Sequence, residues 1–469
     1  MGDLRSPTVA PAGRMGDLRS PTVAPAGRMG DLRSPLPKML AVATRPSLPC
    51  AMQSPESETD AMKYVVFLID GMADYPLPEL GGKTPVEAAR TPTLDRLAQA
   101  AQFGTFVTLP EAFPTSSDVA NMSVLGWDLA TAYTGRGAIE SYGLGVPLDG
   151  ETVAFRMNII TVKDKLLEDY SSGHISEPEA AEIIGFLSEK LGSQAIRFKR
   201  GVSYRHILYL VGKEFSADVA YDKPDSSHGL KWREILPRAA KREAELTAEL
   251  LRQLVFRSRE ILEDHPVNVK RRAEGKNPAN LIWPWSGGRK PQMPSFEKLH
   301  GKKGGIISAV DVILGLGLLG EMESLRPEGA TGFLDTNYEN KARAAVELLR
   351  RNDFVYVHVE AVDECGHLGD LPNKIKGIED CDARLIKVFL DEYRKVHQDK
   401  LRVMVLPDHP VPVKLRKHTR DPVPFMVSGE GVSGDPALRS YNEATCAAGR
   451  YLNLKGRALM DLLFSSTIP

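Results

Sequence analysis

Three apolar runs, at 64–69, 354–359 and 403–406, are continuous rather than alternating along the chain. Runs of strand length with no polar face predict strands buried on both sides of a parallel sheet. Each ends on polar chemistry: Asp70-Gly71 follows the first, Asp363 and His367 follow the second, and Asp408-His409 close the third. Thr91-Pro92 opens an amphipathic segment, with Thr91 suited to the N-cap and Pro92 to the first helical position. Residues 131–150 are Gly-rich and read as a crossing segment. Between 151 and 300 the pattern changes, predicting strands over 152–160 and 202–211 and a charged helix over 238–263. A basic loop over 270–276 comes next. The apolar stretch 305–320 is interrupted by Asp311 and is shorter than the ~18–20 residues of a membrane span, so it reads as a strand running into a helix. This layout predicts one α/β domain made of residues 62–130 and 301–469, interrupted by a smaller inserted α/β domain over 131–300.

The first sixty residues have another character. MGDLRSPTVAPAGR occupies 1–14, recurs at 15–28 and begins again at 29. The repeat has no helical or strand periodicity and no apolar signal core. The expectation is that residues 1–61 are translated upstream DNA and that the native start is Met62, with a disordered linker as the alternative.

At 469 residues the chain has room for two domains. A formal net charge of −1 gives no electrostatic reason to expect nucleic acid or an anionic membrane as partner. The four cysteines, Cys50, Cys365, Cys381 and Cys446, have no CxxC spacing, which favours reduced thiols in a cytoplasmic protein. Oligomeric state is not legible.

Seven residues carry the candidate chemistry: Asp70, Ser117, Asp363, His367, Asp408, His409 and His418. Carboxylates and imidazoles delivered at strand ends suit a pair of divalent cations, and Mn²⁺, Mg²⁺ and Zn²⁺ all accept mixed oxygen and nitrogen donors. A serine hydroxyl is a weak nucleophile until a metal or base activates it, and Ser117 is the candidate. Taken singly these motifs are ordinary. Asp-Gly makes turns, Ser-Asp makes helix caps, and DxxxH makes surface pairs.

Their order is not ordinary. With LIDGMADYP (68–76), SSDVANMSVLGWD (116–128), TGRGAIES (134–141), EDYSSGHIS (168–176), GVSYRHILYL (201–210), VHVEAVDECGHLGD (357–370) and HTRDPVPF (418–425), the chain from Met62 onward resembles the archaeal-type cofactor-independent phosphoglycerate mutases. That family is part of the alkaline phosphatase superfamily. The resemblance implies an alkaline-phosphatase-like doubly wound sheet and the glycolytic interconversion of 3-phosphoglycerate and 2-phosphoglycerate. It implies a small phosphorylated substrate, two divalent metals and no 2,3-bisphosphoglycerate. Ser117 would be the phosphoserine nucleophile. Asp363, His367 and His418 would hold one metal, and Asp70, Ser117, Asp408 and His409 the other. His174, Arg205, Arg289 and Arg136 are the implied substrate contacts, and the inserted domain would close over the site. Trp283 and Trp285 read as packing residues.

Two departures matter. Thr115-Ser116-Ser117 replaces the family's Pro-Gly-Ser, which makes Ser116 a rival nucleophile, although the spacing to Asn121 favours Ser117. Leu314 stands where the family often carries a lysine; if that lysine neutralises substrate phosphate, Lys302 or Lys303 must substitute for it, or the substrate differs. A homoserine-kinase-like phosphotransferase and a metal-dependent phosphatase are the alternatives. The lack of GxxxxGK[ST] argues against a P-loop kinase.

Overall fold

The computed structural model describes residues 62–469, so the repeat, the 1–61 expectation and Cys50 lie outside the described residues. The strands in chain order are β1 Met62–Ile69, β2 Ala101–Phe106, β3 Thr152–Lys163, β4 Leu166–Asp169, β5 Ile196–Arg200, β6 Arg205–Val211, β7 Val219–Ala220, β8 Arg238–Ala239, β9 Leu281–Gly288, β10 Gly304–Ile307, β11 Glu323–Leu325, β12 Phe354–Val359, β13 Lys400–Leu406, β14 Val423–Gly429 and β15 Tyr451–Leu454.

Eight of them form one sheet in the order β11-β10-β12-β1-β13-β14-β2-β15. Neighbours are parallel except where β14 meets β13 and β2, so β14 alone runs against the rest. Alternate residues of β1 enter two separate cores. Tyr64, Val66 and Leu68 pack with the Ser117–Val124 and Asp311–Leu319 helices, while Val65, Phe67 and Ile69 pack with the Tyr338–Leu348 and Lys387–Val396 helices. Burial on both faces is why this strand is written without a polar residue, each such side chain contributing roughly 1.5–3 kcal/mol. The result is an α/β sheet with helices on both faces.

A second sheet takes its strands from residues 152–288, between β2 and β10 in the chain: antiparallel β3 pairs with β4, β6 and β9, and β6 pairs with β5. Its core is separate from the other two. The returning chain reaches the first sheet's core at Phe296, which stacks on Phe354 at 4.8 Å, upstream of the expected boundary at 300.

Several local expectations need correction. The Gly-rich stretch is not a bare crossing, because Arg136–Gly143 is a helix wedged between the second sheet and the Asp311–Leu319 helix. Its glycines are contact points: a Cβ on Gly143 would lie 2.0 Å from the Asp311 carbonyl oxygen, and one on Gly315 would lie 2.0 Å from that of Ile139. The charged helix begins at Glu245 rather than 238, and residues 270–273 of the expected basic loop belong to a second helix, Pro266–Ala273. Thr91 makes no side-chain cap; the carboxylate of Asp382 accepts instead from the amides of Thr93 and Leu94, at 3.2 and 2.7 Å. No described helix is long and apolar enough to cross a membrane.

Candidate active site

The three central parallel strands, β12, β1 and β13, end side by side, and a loop or helix leaves each at the same sheet edge. The carboxyl edge of an α/β sheet is where such folds build their sites. Asp70 continues the β1 ladder by one bond, its amide donating to Val359 at 2.9 Å. Gly71 then turns at φ +65°, and a Cβ there would fall 2.6 Å from the Cα of Asp363. Only glycine lets the two strand ends come this close. Asp363 lies in the first turn of the Ala361–Leu368 helix and His367 one turn on, so both side chains share a face, 3.4 Å apart. Asp408 and His409 follow β13, and the amide of His409 donates to the Asp408 carboxylate at 2.9 Å.

Ser117 arrives from elsewhere, as the first residue of the Ser117–Val124 helix with Ser116 at its N-cap. The Ser117 Oγ is 3.2 Å from Nε2 of His409, whereas the Ser116 hydroxyl is buried without a hydrogen-bond partner among the described residues. One helical turn after Ser117, Asn121 donates to Asp408 at 2.9 Å and accepts from the Tyr356 hydroxyl at 2.5 Å. His418 stacks on His409 with ring centres 3.7 Å apart, and its Nε2 lies 2.9 Å from that of His367. All seven residues expected from sequence therefore converge.

These donors fall into overlapping groups that fit cations. Asp363, His367 and His418 present ligand atoms within 4.8 Å of one another, as do Asp70, Asp363 and His409. Buried atoms of this cluster lack hydrogen-bond partners among the described residues, including Asp70 Oδ1, Asp363 Oδ1, His409 Nδ1 and His418 Nδ1. Burial, reinforced by Asp408, Asp363 and Glu360, pushes the Asp70 carboxyl well above the usual range. Burial and then Glu360, Glu364 and Asp408 do the same to Asp363, and burial lifts Asp408 to about 6. Burial and neighbouring imidazoles hold His409 and His418 well below the ordinary histidine value. Crowded carboxylates that resist ionising beside neutral imidazoles are the donor set that a divalent cation stabilises.

One member escaped sequence reasoning. His358, within β12, is buried with Nε2 3.1 Å from Asp70 Oδ2 and Nδ1 3.3 Å from the Ser308 hydroxyl. The available signal was a lone imidazole in an otherwise apolar strand.

A cleft of about 800 Å³ opens over the cluster. Ser117, Asp363, His367 and His418 line it, with Arg416, Lys417 and Arg420 from the loop around His418, and residues 136–285 add Arg136, Arg156, Arg205, Lys223 and Trp285. Glu140, buried, bonds both Arg136 (2.7 Å) and Arg156. Burial opposes its charge, but the two guanidiniums prevail and hold its carboxyl below the usual range. Trp285, expected only to pack, has both guanidiniums within 6 Å of its ring centre, at 5.9 and 5.6 Å. Trp283 is fully buried. One expected contact is elsewhere. Arg289 does not line the cleft, and its guanidinium is occupied by the carbonyls of Gly150 and Phe215. His174 is exposed and packs edge-on against the cleft residue Tyr204. Leu314 is buried in its helix, and Lys302 and Lys303 precede β10 at the opposite end of the strands, so neither lysine substitutes there.

The 2,3-bisphosphoglycerate-independent phosphoglycerate mutase of Methanosarcina mazei is 43% identical over 405 residues, covering 86% of this chain and 100% of that protein. The chain belongs to this family. The family model described as 2,3-bisphosphoglycerate-independent phosphoglycerate mutase matches residues 98–268. A probable mutase of the same name from Geobacter sulfurreducens is 40% identical over 86% of this chain and 99% of its own. Among solved structures, a Pyrococcus horikoshii protein matches with TM-score 0.70 and 29% identity over 86% of this chain and 96% of its own. The cofactor-independent phosphoglycerate mutase of Thermoplasma acidophilum matches with TM-score 0.55 and 28% identity, over 86% and 98%.

Proposed function

We propose that the chain interconverts 3-phosphoglycerate and 2-phosphoglycerate through a phosphoserine at Ser117, without 2,3-bisphosphoglycerate. The observation that carries this reading is the Ser117 hydroxyl, 3.2 Å from His409 in a cleft lined by acidic and imidazole groups together with several guanidiniums. Relatives matching over their full length carry the mutase name, which favours phosphoglycerate over homoserine as substrate.

In this reading Asp363, His367 and His418 hold one divalent cation, and Asp70, Ser117, Asp408 and His409 hold the other. Bound there, the cations supply positive charge against the phosphoryl oxygens and acidify the serine hydroxyl. The Ser117 oxygen forms a bond to phosphorus as the bond from phosphorus to the 3-oxygen of the substrate breaks. The serine proton ends on the released glycerate hydroxyl. Arg136 and Arg205 retain glycerate through its carboxylate while it re-orients, since guanidinium grips a carboxylate in two-point fashion. The 2-hydroxyl then takes the phosphoryl group and returns a proton to Ser117. The second sheet, read as the inserted domain, keeps water from the phosphoserine during the interval.

The test is direct. The Mn²⁺-loaded chain is incubated with 3-phosphoglycerate in the absence of 2,3-bisphosphoglycerate, and 2-phosphoglycerate is followed; transfer to homoserine is assayed in parallel. Product in the first assay supports the proposal, and product in the second alone overturns it.

A further inference from the structure

Among the cations lining the cleft that no family motif singled out, Lys223 is the one bonded to the loop that carries Ser117. Lys223 follows β7 in the second-sheet segment and reaches across to donate to the carbonyl of Thr115 at 3.0 Å, two residues before Ser117. It lines the cleft together with Ser117, His418 and Arg136. Burial depresses its ammonium, and Asp225 and Asp118 counter that only in part. Among the described residues no carboxylate lies within 4 Å ion-pair distance of it, and the Thr115 carbonyl is its single hydrogen-bond partner. An ammonium carries three donors, so two remain for the cleft.

A tether to a carbonyl needs only a neutral donor. A half-buried positive charge is an expensive way to make one, because its desolvation is not matched by a contacting anion. A tetrahedral oxyanion seated beside Ser117 would provide the match. We infer that Lys223 is a phosphoryl-binding cation, which stabilises the oxyanion transferred to and from Ser117 and ties the second-sheet segment to the nucleophile's loop. This rests on the mutase reading. It also supplies the cleft with a lysine, which the buried Leu314 does not.

The experiment compares Lys223→Met, Lys223→Gln and Lys223→Arg with the unsubstituted, Mn²⁺-loaded chain. Steady-state kinetics with 3-phosphoglycerate, calorimetric binding of inorganic phosphate, metal content and thermal unfolding are measured for each. Loss of one oxyanion-stabilising charge predicts that Met and Gln variants fall about 100-fold or more in kcat, with unchanged metal content. The Arg variant should recover most of this, and phosphate binding should weaken in the same order. Glutamine can still donate to Thr115, so near-normal turnover in Lys223→Gln reduces the residue to a tether and overturns the inference. So does a Lys223→Met variant that binds phosphate as the unsubstituted chain does. If the unsubstituted chain fails to form 2-phosphoglycerate, the mutase reading falls, while phosphate binding still decides the role of Lys223.

Discussion

The imidazole of His358 lies 3.1 Å from the carboxylate of Asp70, from the neighbouring strand and 288 residues away in sequence. Strand register brings them together, since Leu68 of β1 pairs with His358 of β12. An ionised Asp70 requires the proton on Nε2, so that Nε2 donates to one Asp70 oxygen, Nδ1 accepts from Ser308 and Oδ1 is left to face the donor cluster. His358→Leu should therefore weaken divalent-metal binding by roughly 10- to 100-fold while the fold persists. His358→Gln, which can still donate, should recover part of it. Competition against a fluorescent chelator measures both, and unchanged affinity in the Leu variant would show that Asp70 needs no such partner.

Metal affinity should fall in acid. Asp408 titrates at about 6 in the metal-free chain, and Asp70 and Asp363 are raised further by burial and by one another. Below that range each bound cation must displace a proton, so affinity drops by about tenfold per pH unit for each proton released. Folding stability is a poorer readout, because two contributions oppose. The raised carboxyl of Asp408 favours the metal-free fold below its unfolded value of 3.8, and that advantage is lost as pH rises through about 6. His358, depressed to about 4 from 6.5 by burial, favours the fold above 6.5 and loses that advantage as pH falls. Metal titrations between pH 5 and pH 8 isolate the first effect; affinity independent of pH would remove Asp408 from the donor set.

The two adjacent serines should separate cleanly. Ser117→Ala should lower turnover by roughly 10⁴-fold or more, the scale on which a nucleophile is lost, without lowering thermal stability. Ser116→Ala removes a hydroxyl that has no partner among the described residues and should cost less than about tenfold. Mass spectrometry of the chain quenched with substrate should find the phosphoryl group on residue 117; finding it on residue 116 reverses the assignment.

The helix crossing under the arginine wall should be intolerant of bulk. A Cβ on Gly315 would meet the Ile139 carbonyl at 2.0 Å, and backbone cannot move aside as a side chain can. Gly315→Ala should cost about 1–3 kcal/mol of stability, read from the urea midpoint. Because Ile139 neighbours Glu140, the same variant should raise KM through displaced Arg136 and Arg156. A midpoint equal to that of the parent would mean the helices separate freely.

Much of what was legible in the sequence lay at the end of a long apolar run, while Ser117 and His418, which follow none, stood out through the family motifs around them. β1, β12 and β13 are buried on both faces, so their residues are hydrophobic without interruption and the polar groups after them stand out. His358 was concealed by the same logic, lying inside a run rather than after it. Arginines gave less. Arg156 and Arg289 are alike in type and both in the second-sheet segment, yet one faces the cleft and the other is consumed by two carbonyls. That difference is set by tertiary neighbours. The Arg136–Gly143 helix was misread because its glycines, poor helix formers, are there for close packing. Lys223 stood in a polar loop with nothing in its surroundings to mark it.

One reversed strand has a consequence for economy of chain. Leaving β13 at the active edge, the polypeptide needs no helical return, because antiparallel β14 starts at that same edge. The sixteen residues between them stay there and pass the centre twice, delivering His409 on the way out and His418 before re-entry. A parallel successor would have carried the chain to the far rim after His409. The two stacked imidazoles thus come from a single excursion, and lengthening that loop should loosen both at once.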